Sequence, residues 1–204
     1  LDRFAREQVF EPLGMKDTSF NPPASAASRI APTESCSRFG WPCQGPDMTM
    51  LRGVVHDPTA RRMGGVAGHA GLFSTAADLA TFCRMLLGGG TLGPTKLLSP
   101  LSVALMTRPA TPPDLGQVRG LGWDIDSSYA GPRGSWFPIG SFGHTGWTGT
   151  SLWIDPFSET FVIFLSNRNH PTEAGNLLPL RRALGTLAAE AVRDFNFLHV
   201  PGAL

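Results

Sequence analysis

In SFGHTGWTGTSLWIDP, residues 141–156, a histidine and a threonine stand among glycines spaced every third position. Gly143, Gly146 and Gly149 interrupt sequence that otherwise reads as strand. Interior strand glycines cost roughly 0.5–1 kcal/mol each relative to alanine. They persist where a ligand or another backbone comes close, or where the strand bulges. A strand that lays its backbone N–H beside a substrate carbonyl would be built this way, with His144 and Thr145 as the polar side chains next to it. A bulged strand with an incidental histidine fits the same spacing.

The remaining histidines offer less. GVVHDPTARRMGGVAGHAG, residues 53–71, holds His56 beside Asp57, and His69 further on. Side chains adjacent in sequence usually diverge, so His56 and Asp57 read as loop residues rather than as an oriented base. His170 and His199 read the same way, and Arg61-Arg62 reads as a solvated turn. Neither Cys-x-x-Cys nor His-Glu-x-x-His is present, so no metal site is expected. No cofactor is expected either. Cys36 and Cys43 lie in Pro/Gly-rich sequence and pair if the compartment is oxidising; two free thiols are equally consistent. Cys83 falls among Leu79, Phe82 and Leu86 on a helical pattern and reads as core.

The elements that must carry these residues differ along the chain. Residues 2–11 read as a short helix ended by Pro12 and Gly14. Residues 20–70 are loop-rich, which is unusual unless they cover a site or another segment. A second helix starts at Ser74/Thr75, where Thr75 and Asp78 have capping-box spacing, and GGG at 88–90 stops it. A third begins at Ser99-Pro100. Past Pro113 the texture changes to three strands, 121–126, 141–155 and 160–167, the last two joined as an antiparallel hairpin. A closing helix repeats Leu180, Ala183, Leu184, Leu187, Ala188, Ala191 and Phe195 on one face, with Arg181, Arg182, Glu190, Arg193 and Asp194 opposite. Two domains are expected: a mainly helical, loop-rich 1–112, and an α/β portion, 113–204, of three strands and the closing helix.

Bulk properties exclude some partners. The 204 residues carry 17 basic and 16 acidic side chains, a net charge of +1, which gives no reason to expect nucleic acid or an anionic membrane. No apolar run approaches the ~20 residues that span a bilayer. LDRFAREQVF at the start is charged and helical in pattern, so no leader is read there.

Several stretches together resemble one family. FEPLGMKDTSF (10–20), RIAPTE (29–34), GVVHDPTARRMGGVAGHAGLFSTAADLA (53–80), GLGWDI (120–125), FGHTGWTGTSLWIDP (142–156) and FLSNRNHP (164–171) look like the serine β-lactamase-related superfamily. The resemblance is to its class C β-lactamase and penicillin-binding-protein-like branch, which includes esterases and D-aminopeptidases. It implies an α/β fold of the β-lactamase/transpeptidase type, an antiparallel sheet flanked by helices beside a mainly helical domain. The family's third signature is Lys-Thr-Gly, or His-Thr-Gly in many members, and His144-Thr145-Gly146 matches it. The resemblance therefore implies that His144 and Thr145 face the substrate, that Gly146 lets the backbone come close, and that the Trp147 N–H is an oxyanion-hole donor.

Two signatures do not match. The family nucleophile is the Ser of Ser-x-x-Lys. The only lysines here are Lys16 and Lys96, preceded three positions earlier by Leu13 and Gly93. The Tyr-x-Asn or Ser-x-Asn element is missing too: Tyr129 is followed by Ala130-Gly131, and Ser19-Phe20-Asn21 lies on the wrong side of PLGM. Both missing motifs belong upstream in the family. The chain is accordingly expected to be the C-terminal portion of a hydrolase that transfers acyl groups from β-lactam, D-amino-acid peptide or ester. The nucleophile helix and N-terminal strands would be absent, and the chain alone silent. Its partners would be a small-molecule or peptidoglycan-type substrate and the missing N-terminal segment, either on a separate chain or lost by truncation, with a periplasmic or extracellular location by resemblance. The alternative is a non-catalytic ligand- or peptidoglycan-binding module derived from the fold. A hydrolase using Ser151 has no base to support it.

Overall fold

The structure, a computed structural model, describes residues 1–36 and 49–201. They form two compact units, Leu1–Leu79 with Ser166–Asn176, and Ala80–Leu165 with Leu177–Leu204.

The first unit opens with one helical run: α1 (Asp2–Ala5), a π-helical stretch Arg6–Phe10, and α2 (Glu11–Leu13). The run passes through Pro12, where the sequence suggests a stop. The wider π turn just ahead accommodates a residue that lacks an N–H and crowds the preceding turn. Gly14, at φ +69°, ends it, and Phe10, Leu13 and Met15 point inward. Strand β1 (Ser19–Phe20) pairs antiparallel with β2 (Leu72–Phe73). Helix α3 (Pro58–Arg62) begins with proline where no N–H is needed, and the Asp57 carboxylate accepts from Ala60 N at 2.6 Å.

Helix α4 (Ala76–Leu87) starts as expected, with Thr75 Oγ1 accepting from Asp78 N at 3.2 Å. Only this half of the capping box forms. The Asp78 carboxylate turns instead to Asp17 N and Thr18 Oγ1, each at 2.8 Å. Cys36 is buried and disulfide-bonded; Cys43 lies outside the described residues.

In the second unit Cys83, Met85 and Leu86 of α4 are buried. Burial pushes the Cys83 thiol up to about 12. A small hairpin, β3 (Thr91–Leu92) with β4 (Thr95–Lys96), precedes α5 (Pro100–Thr107), which Ser99 caps. The main sheet follows: β5 (Val118–Arg119), β6 (Asp124–Asp126), β7 (Phe142–Thr145), β8 (Ser151–Asp155) and β9 (Thr160–Phe164). Every neighbour is antiparallel and the spatial order equals the chain order. The single strand read over 141–155 is therefore a hairpin. Gly146 and Gly149 make the reversal, closed by Gly149 N to Gly146 O at 3.1 Å and Gly146 N to Thr150 O at 2.7 Å.

Helix α6 (Leu178–Glu190) presents a different face from the one its leucines suggest. Arg181, Gly185 and Ala189 are buried, whereas Leu180 and Leu187 are 46% and 60% exposed. The inner face needs small residues. Gly185 lies so close to Pro132 O that a side chain there would collide with it. Ala189 joins Ala130, Phe137 and Trp153 in a core cluster against which Val162, Ala188 and Phe197 pack. A leucine stripe would not fit this space, so it turns outward.

Candidate active-site strand

His144 and Thr145 are the last residues of β7, and their strand positions follow from cross-strand register. Gly143 pairs with Trp153 and with Asp124, and His144 pairs with Leu152. A Cβ on Gly143 would strike both the Trp153 ring and Leu152 O. One on Gly146 would strike Thr150 Oγ1, and Gly149 adopts φ +126°. Each of the three glycines thus has a reason inside the fold: a cross-strand tryptophan, a tight hairpin, and a left-handed backbone.

The His144 side chain is exposed and held at both nitrogens. Arg119 Nη2 lies 2.7 Å from Nε2, and Nδ1 lies 2.8 Å from Thr145 O. A guanidinium only donates and a carbonyl only accepts. Nε2 must therefore be the acceptor and Nδ1 the protonated donor, which fixes one neutral tautomer. Arg119 is itself oriented by Asp124, its cross-strand partner, with Nη1 3.7 Å from Oδ2. That same Asp124 oxygen accepts from Ser127 Oγ at 2.6 Å. Neither Arg119 nor Asp124 stands out in the sequence, because 25 positions separate Arg119 from His144 and only the sheet brings them together.

Trp147 follows at the hairpin tip, 66% exposed. Behind the tip, Arg181 of α6 donates through Nη2 to Gly146 O at 2.9 Å and to Thr150 O at 2.8 Å. Its position among leucines gives no hint of this contact. Ser151, at the start of β8, is buried.

Three of the other histidines, His56, His69 and His170, have partners for their side chains. His69 Nε2 meets Asp57 Oδ1 at 3.0 Å, and the Asp57 carboxyl is held below its usual value, first by the Ala60 N–H and further by His69. His56 turns away from Asp57 to Glu34 Oε2 at 3.0 Å, with Asn169 Nδ2 at 3.3 Å and Glu173 Oε1 at 3.6 Å from the same nitrogen. Glu34, His56 and Glu173 form a set whose donor atoms lie within 4.8 Å, the right residue types for a divalent cation. The His56–Glu34 hydrogen bond also serves as a buried polar link. His170 Nδ1 lies 3.1 Å from Thr33 O. Arg61 is not a solvated turn residue: Nε and Nη2 donate to Val55 O at 3.1 and 2.8 Å.

Comparison with known proteins shows the family and the fold. Residues 1–187 match the sequence profile of the Beta-lactamase family. A Salmonella gallinarum protein named as a candidate D-alanyl-D-alanine carboxypeptidase is 38% identical over 180 residues, covering 83% of this chain and 40% of its own length. The chain thus spans about two-fifths of that relative. Among solved structures, a penicillin-binding-protein homologue from Caulobacter crescentus superposes with a TM-score of 0.62 at 22% identity, covering 94% of this chain and 52% of its own. Simvastatin synthase from Aspergillus terreus gives 0.62 at 19% identity, covering 93% and 50%. These two share the fold. Among the described residues no helix is long and apolar enough to cross a membrane.

Proposed function

The chain belongs to the β-lactamase family of serine hydrolases, and we propose that it supplies the substrate-lining strand of an acyl-transfer site whose serine nucleophile lies outside these 204 residues. The observation that carries this reading is His144-Thr145-Gly146 at the end of β7, in a sequence with no Ser-x-x-Lys. The serine oxygen adds to the substrate carbonyl, and the Trp147 N–H donates to the oxyanion of the tetrahedral intermediate. Collapse expels the amine or alcohol with a proton, and water then hydrolyses the acyl-enzyme. Thr145 and the Arg119-held His144 line the substrate, and Gly146 keeps the backbone within reach of it. The bond broken is an amide or ester; the carboxypeptidase name of the Salmonella relative favours a D-amino-acid peptide.

The outward leucines of α6 support a further segment packing on this unit, since exposed apolar faces mark contacts. The missing nucleophile motif by itself favours a second reading, a non-catalytic module that binds a peptidoglycan-type ligand.

Intact-mass analysis after treatment with a fluorophosphonate and with a penicillin probe separates these readings. The expected result is no adduct on this chain and a labelled serine on the segment that completes it. A stoichiometric adduct on this chain overturns the reading. Ligand binding by the chain, with no labelled companion, leaves the module.

A further inference from the structure

Two atoms of one peptide connect the proposed oxyanion donor to a buried arginine. The peptide joining Gly146 to Trp147 is trans, the one cis bond among the described residues being His170-Pro171. In a planar trans peptide the C=O and the N–H point in opposite directions. Whatever holds Gly146 O therefore aims the Trp147 N–H.

Gly146 O is held from two sides, by Arg181 Nη2 at 2.9 Å and by Gly149 N at 3.1 Å. The same Nη2 reaches Thr150 O at 2.8 Å, and that oxygen also takes Gly146 N at 2.7 Å. One guanidinium nitrogen thus joins both arms of the hairpin tip. Arg181 is 7% exposed, in the first turn of α6. Burying a cation is costly unless it is well hydrogen-bonded. A hairpin needing only closure already has its two backbone bonds, so the arginine contributes something further: direction and charge.

We infer that Arg181 is the positioning residue of the Trp147 amide. It fixes the peptide plane so that the N–H faces away from α6. By donating a charge-assisted bond to the carbonyl, it also polarises the peptide and strengthens the N–H as a donor. Arg181 does not touch substrate; it acts through the peptide. The inference deepens the acyl-transfer reading above and rests on it for its catalytic consequence, but not for its geometry.

The test has two arms. In the first, Arg181→Met and Arg181→Gln are compared with the wild-type chain by NMR. Loss of the arginine is expected to shift the Trp147 amide and the Gly146 carbonyl carbon while the resonances of β8 and β9 stay in place. Unchanged Trp147 and Gly146 resonances in either folded variant overturn the inference. If Arg181→Met fails to fold, Arg181→Gln decides. In the second arm the protein complete with its nucleophile segment is assayed on a p-nitrophenyl ester. Because one oxyanion donor is worth 10²–10³ in kcat, its misalignment is expected to lower kcat about 10- to 100-fold with KM within about twofold. Arg181→Lys, which keeps a cationic donor, is expected to recover part of the loss. A variant with wild-type kcat, or one in which KM alone changes, overturns the catalytic consequence. Should the wild-type protein turn over no ester, the functional reading fails, and the NMR arm still decides whether Arg181 aims the peptide.

Discussion

Arg119 donates to His144 Nε2 across 2.7 Å, and this one contact assigns the proton on the imidazole to Nδ1, which faces Thr145 O. Removing the donor by Arg119→Met is expected to release Nε2 and let the Nε2–H tautomer populate. Imidazole 15N chemical shifts above pH 8 report the tautomer directly. An unchanged spectrum would mean that Thr145 O alone sets it.

Gly143 has no room for a methyl group between Trp153 and Leu152 O. Gly143→Ala is expected to destabilise the second unit by about 2 kcal/mol, as overpacking of a tight core does, measurable as a lower urea midpoint. Gly68, with open space around its Cβ position and ordinary φ, is the control and is expected to tolerate alanine.

Asp155, at the end of β8, is fully buried, and burial raises its carboxyl above the usual range, partly offset by bonds from Ser158 N at 2.9 Å and Ser158 Oγ at 2.5 Å. A raised folded value means that the folded state binds the proton more tightly than the unfolded one. The charge therefore opposes folding at neutral pH, and this penalty is relieved as pH falls through the folded value towards the ordinary one near 3.9. Asp155→Asn is expected to hold or raise stability at pH 7 and to flatten its pH dependence in the acid range. Urea midpoints at several pH values check this. A large loss at pH 7 would show that Ser158 needs the charge.

Cys83 is buried with its thiol pushed up to about 12, so native protein is expected to resist thiol reagents at pH 8 and to react fully once unfolded. Fast labelling of the native chain at Cys83 would contradict that burial.

Local signals were readable where they were self-contained. Thr75 caps α4, Ser99 caps α5, and His144 and Thr145 lie at the end of a strand, because in each case the sequence neighbours supply the geometry. The sequence misleads where a distant group wins. Pro12 reads as a stop, but the π turn absorbs it. Asp78 leaves its own cap for Thr18 and Asp17. The leucines of α6 read as its inner face, yet Pro132 O and Trp153 leave space only for Gly185 and Ala189. In the proposed site, a motif alone singles out His144 and Trp147, whereas Arg119, which contacts His144, and Arg181, which binds Gly146 O, become visible only when the sheet and helix bring remote positions together.

Strand β9 carries a consequence for handling the protein. Its residues TFVIF are uncharged and free of proline, and among the described strands it has one neighbour, β8. An apolar β-strand with one open flank is a template for fibril growth. Chain produced alone and held at high concentration should seed thioflavin-positive aggregates from this flank. A lysine at an outward position of β9 should suppress them and make the polypeptide easier to store.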